Sequence, residues 1–421
     1  VIQLTSANRP ENVRYLAAAI LTQLDIDQAA ERAAQVLSTA TADHDPTPLV
    51  RAFLTRPEGA DRLAEVLSKV DLSADVAKLA LRYMYSVGRS DAALSEVLTR
   101  AANISTETPT LSAEQTKQLV ADVLTHGDPA RGEQVFRRSE LSCMNCHSLG
   151  GVGGKVGPQL TAVGSSSPVE YLISALLTPS KEIKEGYVTA HVLTDDGKSH
   201  LGILSENTDD RLVLKDATGK VTVIPKADID GDWQPGQSLM PTGLVQFMTR
   251  RELIDLTRFL SELGRPGKYA VSESPTIRRW RVLRDVPAKL SESIPNIEQF
   301  GDHVLRRDAT SWSPAYSLVS GALPLDDLAS SPEEQVIYLQ GEIMVDFAGQ
   351  LGIALNSSQG VTLWIGDEQV PVHDRFTAPI SSGRQKLTLR IDRRKRASDE
   401  LRLDLFRNDD STVRVRMIGG A

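Results

Sequence analysis

The sequence predicts a multi-domain α+β protein: an N-terminal helical domain, a central helical domain carrying a β-strand insertion, and a C-terminal β-sandwich. Three observations predict it. The chain has 421 residues, more than one ordinary domain and enough for roughly two to four. Apolar residues recur at helical spacing up to about residue 105 and again around 112–177 and 250–263, but alternate with period two around 187–225 and beyond 350. The only two cysteines, Cys143 and Cys146, stand three apart in the middle of the chain, so no disulfide framework organises it. Hydrophobic residues make up 41% and charged residues 24%, the composition of folded, water-exposed protein. Lys plus Arg number 47 against 55 Asp plus Glu, a net charge of −8, and no long basic run is present. That balance argues against nucleic acid or anionic membrane as a partner. No stretch approaches the roughly 18 consecutive apolar residues of a membrane span. The sequence opens at Val1 in mid-pattern, without Met or signal peptide, as expected of a mature chain or an excised piece of something longer.

Residues 1–105 read as successive short helices. Leu49, Val50, Phe53 and Leu54 form one apolar face, Leu63, Val66, Leu67 and Val70 a second, and Val76, Leu79, Ala80 and Met84 a third. Pro, Gly and Asp interrupt them at short intervals, as in stacked helical pairs. No exact repeat is present, so a helical-repeat region of the HEAT kind stays open. A loop rich in Thr, Ser and Pro at about 102–111 leads into a capping box, Ser112 with Gln115, and a helix carrying Leu119, Val120, Val123 and Leu124. Asp128-Pro129 opens the next helix, which contains Gly132 and Phe136 and ends before the cysteines.

A glycine-rich stretch, Gly150 to Gly157, follows the cysteines and ends at Pro158. Ser167-Pro168-Val169-Glu170 reads as a capping box, and Val169, Leu172, Ile173, Leu176 and Leu177 line the helix behind it. From Tyr187 to Pro225 the period changes to two, with turns at Asp195–Gly197, Asn207–Asp210 and Asp216–Gly219, which predicts four short antiparallel strands. Helix returns at about 250–263 with Leu253, Leu256, Leu260 and Leu263, and Gly264-Arg265-Pro266-Gly267 closes the unit. Residues 270–421 read as β-rich, with alternating segments such as Val361–Ile365 and Lys386–Ile391. The predicted domains are therefore 1–105, 112–264 with its insertion at about 187–225, and 270–421.

The chemistry lies in Cys143-Met144-Asn145-Cys146-His147, the attachment signature of c-type haem. Two thiols can bond two vinyl groups, and the next residue can turn its imidazole under the iron. Three rival readings are zinc binding, a thioredoxin-like redox pair and coincidence. Zinc needs four ligands, and the other histidines, at 44, 126, 191, 200, 303 and 373, show no paired spacing. A redox pair needs a strand before it and a helix after it rather than a glycine-rich loop. Haem is the reading its surroundings favour.

Those surroundings resemble a class I cytochrome c. The helix with Gly132 and Phe136 is similar to that family's N-terminal helix, in which the Gly permits close crossing by the last helix, here the segment of Phe259 and Leu260. Gly157-Pro158-Gln159-Leu160 resembles the family's Gly-Pro-x-Leu, where the Pro carbonyl receives the proximal imidazole N–H. The resemblance implies one haem c, held covalently by Cys143 and Cys146, with His147 as the proximal iron ligand and Pro158 orienting it. It also implies a Met as sixth ligand from the loop before the last helix, where Ser238-Leu239-Met240-Pro241 stands. Met248 is the local competitor, expected in the core, and His191 and His200 are the alternative ligands. The β insertion separates this chain from compact members of the family. With it, and with Tyr171-Leu172 and Pro179-Ser180…Ile183…Gly186-Tyr187, residues 128–264 resemble the haem-binding domain of large planctomycete and verrucomicrobial proteins. In those, the domain often follows a propeller resembling a sugar dehydrogenase and a helical-repeat region, which would make residues 1–105 the end of such a region.

Leu363–Asp367 and Ser382–Leu387 resemble a protective-antigen-type sandwich, a family often linked to sugar binding. Its members often carry paired acidic residues for calcium, but the loop here reads Asn356-Ser357-Ser358-Gln359-Gly360. Trp364 is either a stacking platform for a carbohydrate or a core residue, and Arg393–Arg396 reads as a solvated loop. The expectation is a periplasmic, or otherwise extracytoplasmic, electron carrier with no catalytic residue, accepting electrons from a partner or linked dehydrogenase. The alternatives are an open-site haem enzyme or sensor, and a glycan-binding module with an accessory haem.

Overall fold

The computed structural model describes residues 1–105, 111–138, 141–272, 275–328, 334–408 and 411–418. Half of the predicted 102–111 loop, residues 106–110, lies outside the described residues. The chain is mixed, with helices first and sheets last. In order it forms α1 (Glu11–Leu21), α2 (Ile26–Leu37), α3 (Thr47–Leu54), α4 (Gly59–Leu67), α5 (Ala74–Ser86), α6 (Ala92–Ala101), α7 (Ala113–His126), α8 (Pro129–Phe136) and a single helical turn α9 (Cys143–Cys146). A hairpin, β1 (Ser148–Leu149) with β2 (Val152–Gly153), leads to α10 (Val163–Ser166) and α11 (Val169–Leu177). The insertion follows as β3 (Thr189–Leu193), β4 (Ser199–Asn207), β5 (Arg211–Lys215), β6 (Val221–Pro225) and β7 (Gln234–Pro235), and α12 (Arg250–Glu262) closes the region.

Two compact units emerge: Val1–Val135 with Val169–Ile183 and Met240–Phe259, and Phe136–Pro168 with Lys184–Leu239 and Leu260–Ala421. The 112–264 segment contributes to both.

In the first unit the first six helices form three hairpins. Helices α1, α3 and α5 make one row and α2, α4 and α6 the other, each hairpin stacked on the next. The packing follows from composition. Helix α2 buries Ala29, Ala30, Ala33 and Ala34, small side chains that admit close neighbours, while Leu49, Phe53, Leu63, Leu81, Met84 and Leu94 fill the space between the rows. The Asp25 side chain accepts from Gln28 N at 2.9 Å and caps α2. Helix α5 is bound to the 240–259 segment of the same unit. Lys78 Nζ donates to Met248 O (2.9 Å), Arg82 pairs with Glu252 (3.0 Å), and Tyr85 meets Phe247 edge-on. A second core joins Leu119 and Val123 of α7, Val169 and Ile173 of α11, and Ile254 of α12. Both bonds of the Ser112–Gln115 capping box form, at 2.9 and 3.2 Å. Leu124, expected on the apolar face of α7, is 55% exposed, because the 100° step per residue carries it off the Leu119–Val123 stripe.

In the second unit the insertion is an antiparallel sheet of order β6-β5-β4-β3-β7, its core face formed by Ala190, Val192, Leu212, Leu214 and Ile224. Strand β7, two residues long and ending in Pro235, had no alternation to announce it. The C-terminal region contains β8 (Arg279–Leu283), β9 (Trp312–Tyr316), β10 (Leu323–Pro324), β11 (Val336–Phe347), β12 (Gly349–Leu355), β13 (Val361–Ile365), β14 (Glu368–Val370), β15 (Arg375–Ile380), β16 (Gly383–Asp392), β17 (Glu400–Leu401), β18 (Leu403–Arg407) and β19 (Arg414–Met417). One sheet runs β14-β13-β16-β11-β8-β9, with β19 also on β11, and another runs β15-β12-β18. They share one core, to which Leu339 and Leu389 contribute from the first and Ile353 and Leu405 from the second.

The region is β-rich as expected, and one expectation for it needs correction. It also holds short helices, at Ala288–Glu292 and Ile297–Phe300, the latter capped by Asn296 and Gln299. The basic run 393–396 is not a solvated loop throughout. Arg394 binds Asp392 (2.8 Å), and Arg396 is only 9% exposed, spending all five N–H groups on the oxygens of Ser398, Ser357, Gln359, Asn356 and Glu400. Its guanidinium thus occupies the loop in which calcium was considered. Trp364 is 2% exposed and stacks on Phe300 (centroids 4.4 Å apart), so it is core and offers no face to a sugar.

Candidate functional site

Ser142 takes a left-handed conformation (φ 53°) and starts α9, whose single turn closes through His147 N donating to Cys143 O at 2.9 Å. Residues three apart on such a turn share a face, so the Cys143 and Cys146 side chains emerge on one side while Met144 is buried. Neither cysteine is in a disulfide, and both are half-buried. Burial pushes the Cys143 thiol up to about 11, with Cys146 adding to the effect, and raises Cys146 as well. Without a bound group, both thiols are therefore protonated at neutral pH.

His147 leaves the turn in an extended conformation and the β1–β2 hairpin brings the chain back. Its two-residue loop is Gly150-Gly151, at φ 60° and 83°, the positive dihedrals that such tight hairpin turns require and glycine supplies without strain. The returning strand is then bonded to the cysteine turn: Gly154 N donates to Met144 O and Gly157 N to Cys146 O, both at 2.8 Å. Gly157 lies flat against the imidazole. A Cβ there would fall 2.7–3.1 Å from three ring atoms of His147, so only glycine lets the backbone come this close.

One residue later, the Pro158 carbonyl lies 2.8 Å from His147 Nδ1. A carbonyl only accepts, so the proton sits on Nδ1 and Nε2 carries the lone pair. Among the described residues nothing hydrogen-bonds Nε2. Burial lowers the imidazole pKa, with the Pro158 contact acting in the opposite direction, which keeps the ring neutral as a metal ligand must be.

Cys143, Cys146, His147 and Pro158 thus come together within 16 residues of chain. Met240 belongs to the other compact unit, half-buried in the irregular segment between β7 and α12. Met248 is buried at 3%, as expected of a core residue. His191 is exposed on β3, with Nε2 bonded to Ser199 Oγ (2.7 Å), and His200 is half-buried on β4. Among the described residues no three His, Cys, Asp or Glu side chains gather into a metal-holding group.

The predicted helix crossing is also present. A Cβ on Gly132 would lie 1.9 Å from Asp255 O and 2.7 Å from Phe259 Cβ, so α8 and α12 touch backbone to backbone. Sequence reasoning missed the residue that fixes this crossing. Buried Asp255 accepts from Asp128 N (2.7 Å) and from Arg131 Nε (2.7 Å) and Nη2 (3.0 Å), tying the start of α8 to α12. The Asp128-Pro129 start of α8 signalled a cap but not its distant partner. No family model and no curated protein matches the chain.

Proposed function

We propose that this chain is a c-type cytochrome that carries single electrons. Cys143 and Cys146 would hold one haem by thioether bonds, with His147 Nε2 and Met240 Sδ as the iron ligands. The observation that carries the reading is the state of His147: Nδ1 is committed to the Pro158 carbonyl, Nε2 is open, and the ring is held in place by Gly157. The residues fit the group, because two unpaired thiols on one face and a neutral, oriented imidazole are the donors it needs. When bound, haem supplies a one-electron couple. Pro158 keeps the imidazole in one tautomer and raises its basicity, and the Gly150-Gly151 turn folds the loop over it. A thioether from Met240 would close the sixth position and exclude substrate, which makes the protein a carrier rather than an enzyme. The close α8–α12 crossing at Gly132 supports the cytochrome-like fold of this region.

Thioether attachment of haem implies a compartment outside the cytoplasm. Among the described residues no helix is long and apolar enough to cross a membrane. A dehydrogenase, linked on the same polypeptide or docking transiently, fits as electron donor. The test is production in an extracytoplasmic compartment with a haem c maturation system, followed by mass spectrometry of the denatured protein. The expected result is a mass increase of one haem that survives denaturation and vanishes in a Cys143→Ser/Cys146→Ser variant. Protein that emerges without covalent haem under these conditions contradicts the reading.

A further inference from the structure

The loop that orients His147 is held from outside as well as by its own glycines. On β5, Lys215 Nζ donates to the main-chain oxygen of Lys155, two residues before Gly157. Next to it, Val156 is buried to 8% exposure, and Gly219 in the β5–β6 turn stands over it, where an added Cβ would lie 4.0 Å from Val156 Cγ2. The hairpin of the insertion therefore meets Lys155 and Val156, and the next two residues are the ones that press on and hydrogen-bond the imidazole. All these residues belong to the same compact unit.

We propose that the β5–β6 hairpin is a clamp on the His147 loop and that Lys215 is a positioning residue for the proximal imidazole. This gives the β insertion a role. The stretch 154–158 contains two glycines and a single buried side chain larger than glycine, Val156, and irregular segments held by so few packed side chains open at low free-energy cost. A charge-assisted bond to the Lys155 carbonyl and the seating of Val156 raise that cost and keep the Pro158 carbonyl on Nδ1. The consequence for an iron ligand rests on the haem reading above; the clamp itself does not.

Hydrogen exchange separates the two. In Lys215→Met, the amides of Gly154 and Gly157 are expected to exchange about tenfold or more faster than in the wild type, with and without haem. The charge control is Lys155→Met, which removes a neighbouring cation but leaves the carbonyl that Lys215 binds; its amides should stay within about twofold of wild type. Val156→Ala tests the clamp without any charge change, and should also accelerate the Gly157 amide if Lys215→Met fails to fold. In the haem-loaded protein the His147 Nδ1 proton should exchange faster in Lys215→Met and not in Lys155→Met, a readout that a general loss of stability would move in both or neither. Unchanged amides in both Lys215→Met and Val156→Ala overturn the clamp, as do equal changes in the two lysine variants. Wild-type protein without covalent haem overturns the haem reading instead, while the exchange data on the ligand-free protein still decide the clamp.

Discussion

His147 and Arg396 are both basic side chains set into turn-rich loops, and they are bonded in opposite ways. Arg396 spends every N–H it has on chain oxygens from two loops, Asn356–Gln359 and Ser398–Glu400. His147 spends one nitrogen on Pro158 and among the described residues keeps the other open, on a mount stiffened by Gly157 and by main-chain bonds to the cysteine turn. A buried polar group whose capacity is filled by the fold is structural, since the fold already offsets its desolvation. The proposed haem reading rests on the contrast: among the described residues the His147 imidazole is half filled and rigidly held. The contrast bears on the two proposed readings of the molecule: the haem reading rests on the cysteine turn, while in the C-terminal region the Asn356–Gly360 loop is filled by Arg396 and Trp364 lies in the core.

Four substitutions and one labelling experiment can break or sharpen that contrast. His147→Ala should remove the proximal ligand and with it the low-spin visible spectrum, while far-ultraviolet circular dichroism stays that of the folded chain. Met240→Ala should leave haem attached and abolish the weak long-wavelength sulfur-to-iron band; an unchanged spectrum takes Met240 out of the site. Arg396→Ala should do the reverse of His147→Ala, leaving the haem spectrum intact and lowering unfolding stability by about 2–4 kcal/mol, because several oxygens lose a charged donor at once. A spectral change in that variant would break the distinction between the two loops. Gly132→Ala forces α8 and α12 apart and should cost about 1–3 kcal/mol in denaturant melts. Smallest is a kinetic effect in the ligand-free protein. With its thiol pushed up to about 11 by burial, Cys143 carries less thiolate than an exposed cysteine, and at pH 8 it should react slowly with iodoacetamide, faster as pH rises.

Local features of this site were legible in the sequence where chemistry depends on short spacing. The Cys143–His147 motif, the Gly157-Pro158 pair and the Ser112 capping box are all local, and the structure forms each of them, whereas the glycine-rich stretch did not announce the two-residue turn at Gly150-Gly151. The Gly132–Phe259 approach was legible only through a family resemblance, since nothing in either segment alone names its partner. Arg396 was misread because a run of four basic residues looks solvated until the oxygens 39 and 40 positions away fold around it. Lys215 and Asp255 act across 60 and 127 residues, and no local pattern encodes such a contact. The short helices near 288–300 fell below the length at which periodicity is informative, though Asn296 with Gln299 was a usable capping signal.

The central claim is that His147 and Met240 hold a covalently attached haem iron, and the absorption spectrum of the oxidised, haem-loaded protein tests it most directly. The account predicts a low-spin spectrum with the long-wavelength sulfur-to-iron band. A high-spin spectrum, or a low-spin one without that band, would contradict it: the first opens the iron to substrate or gas, and the second places a histidine where the account places Met240.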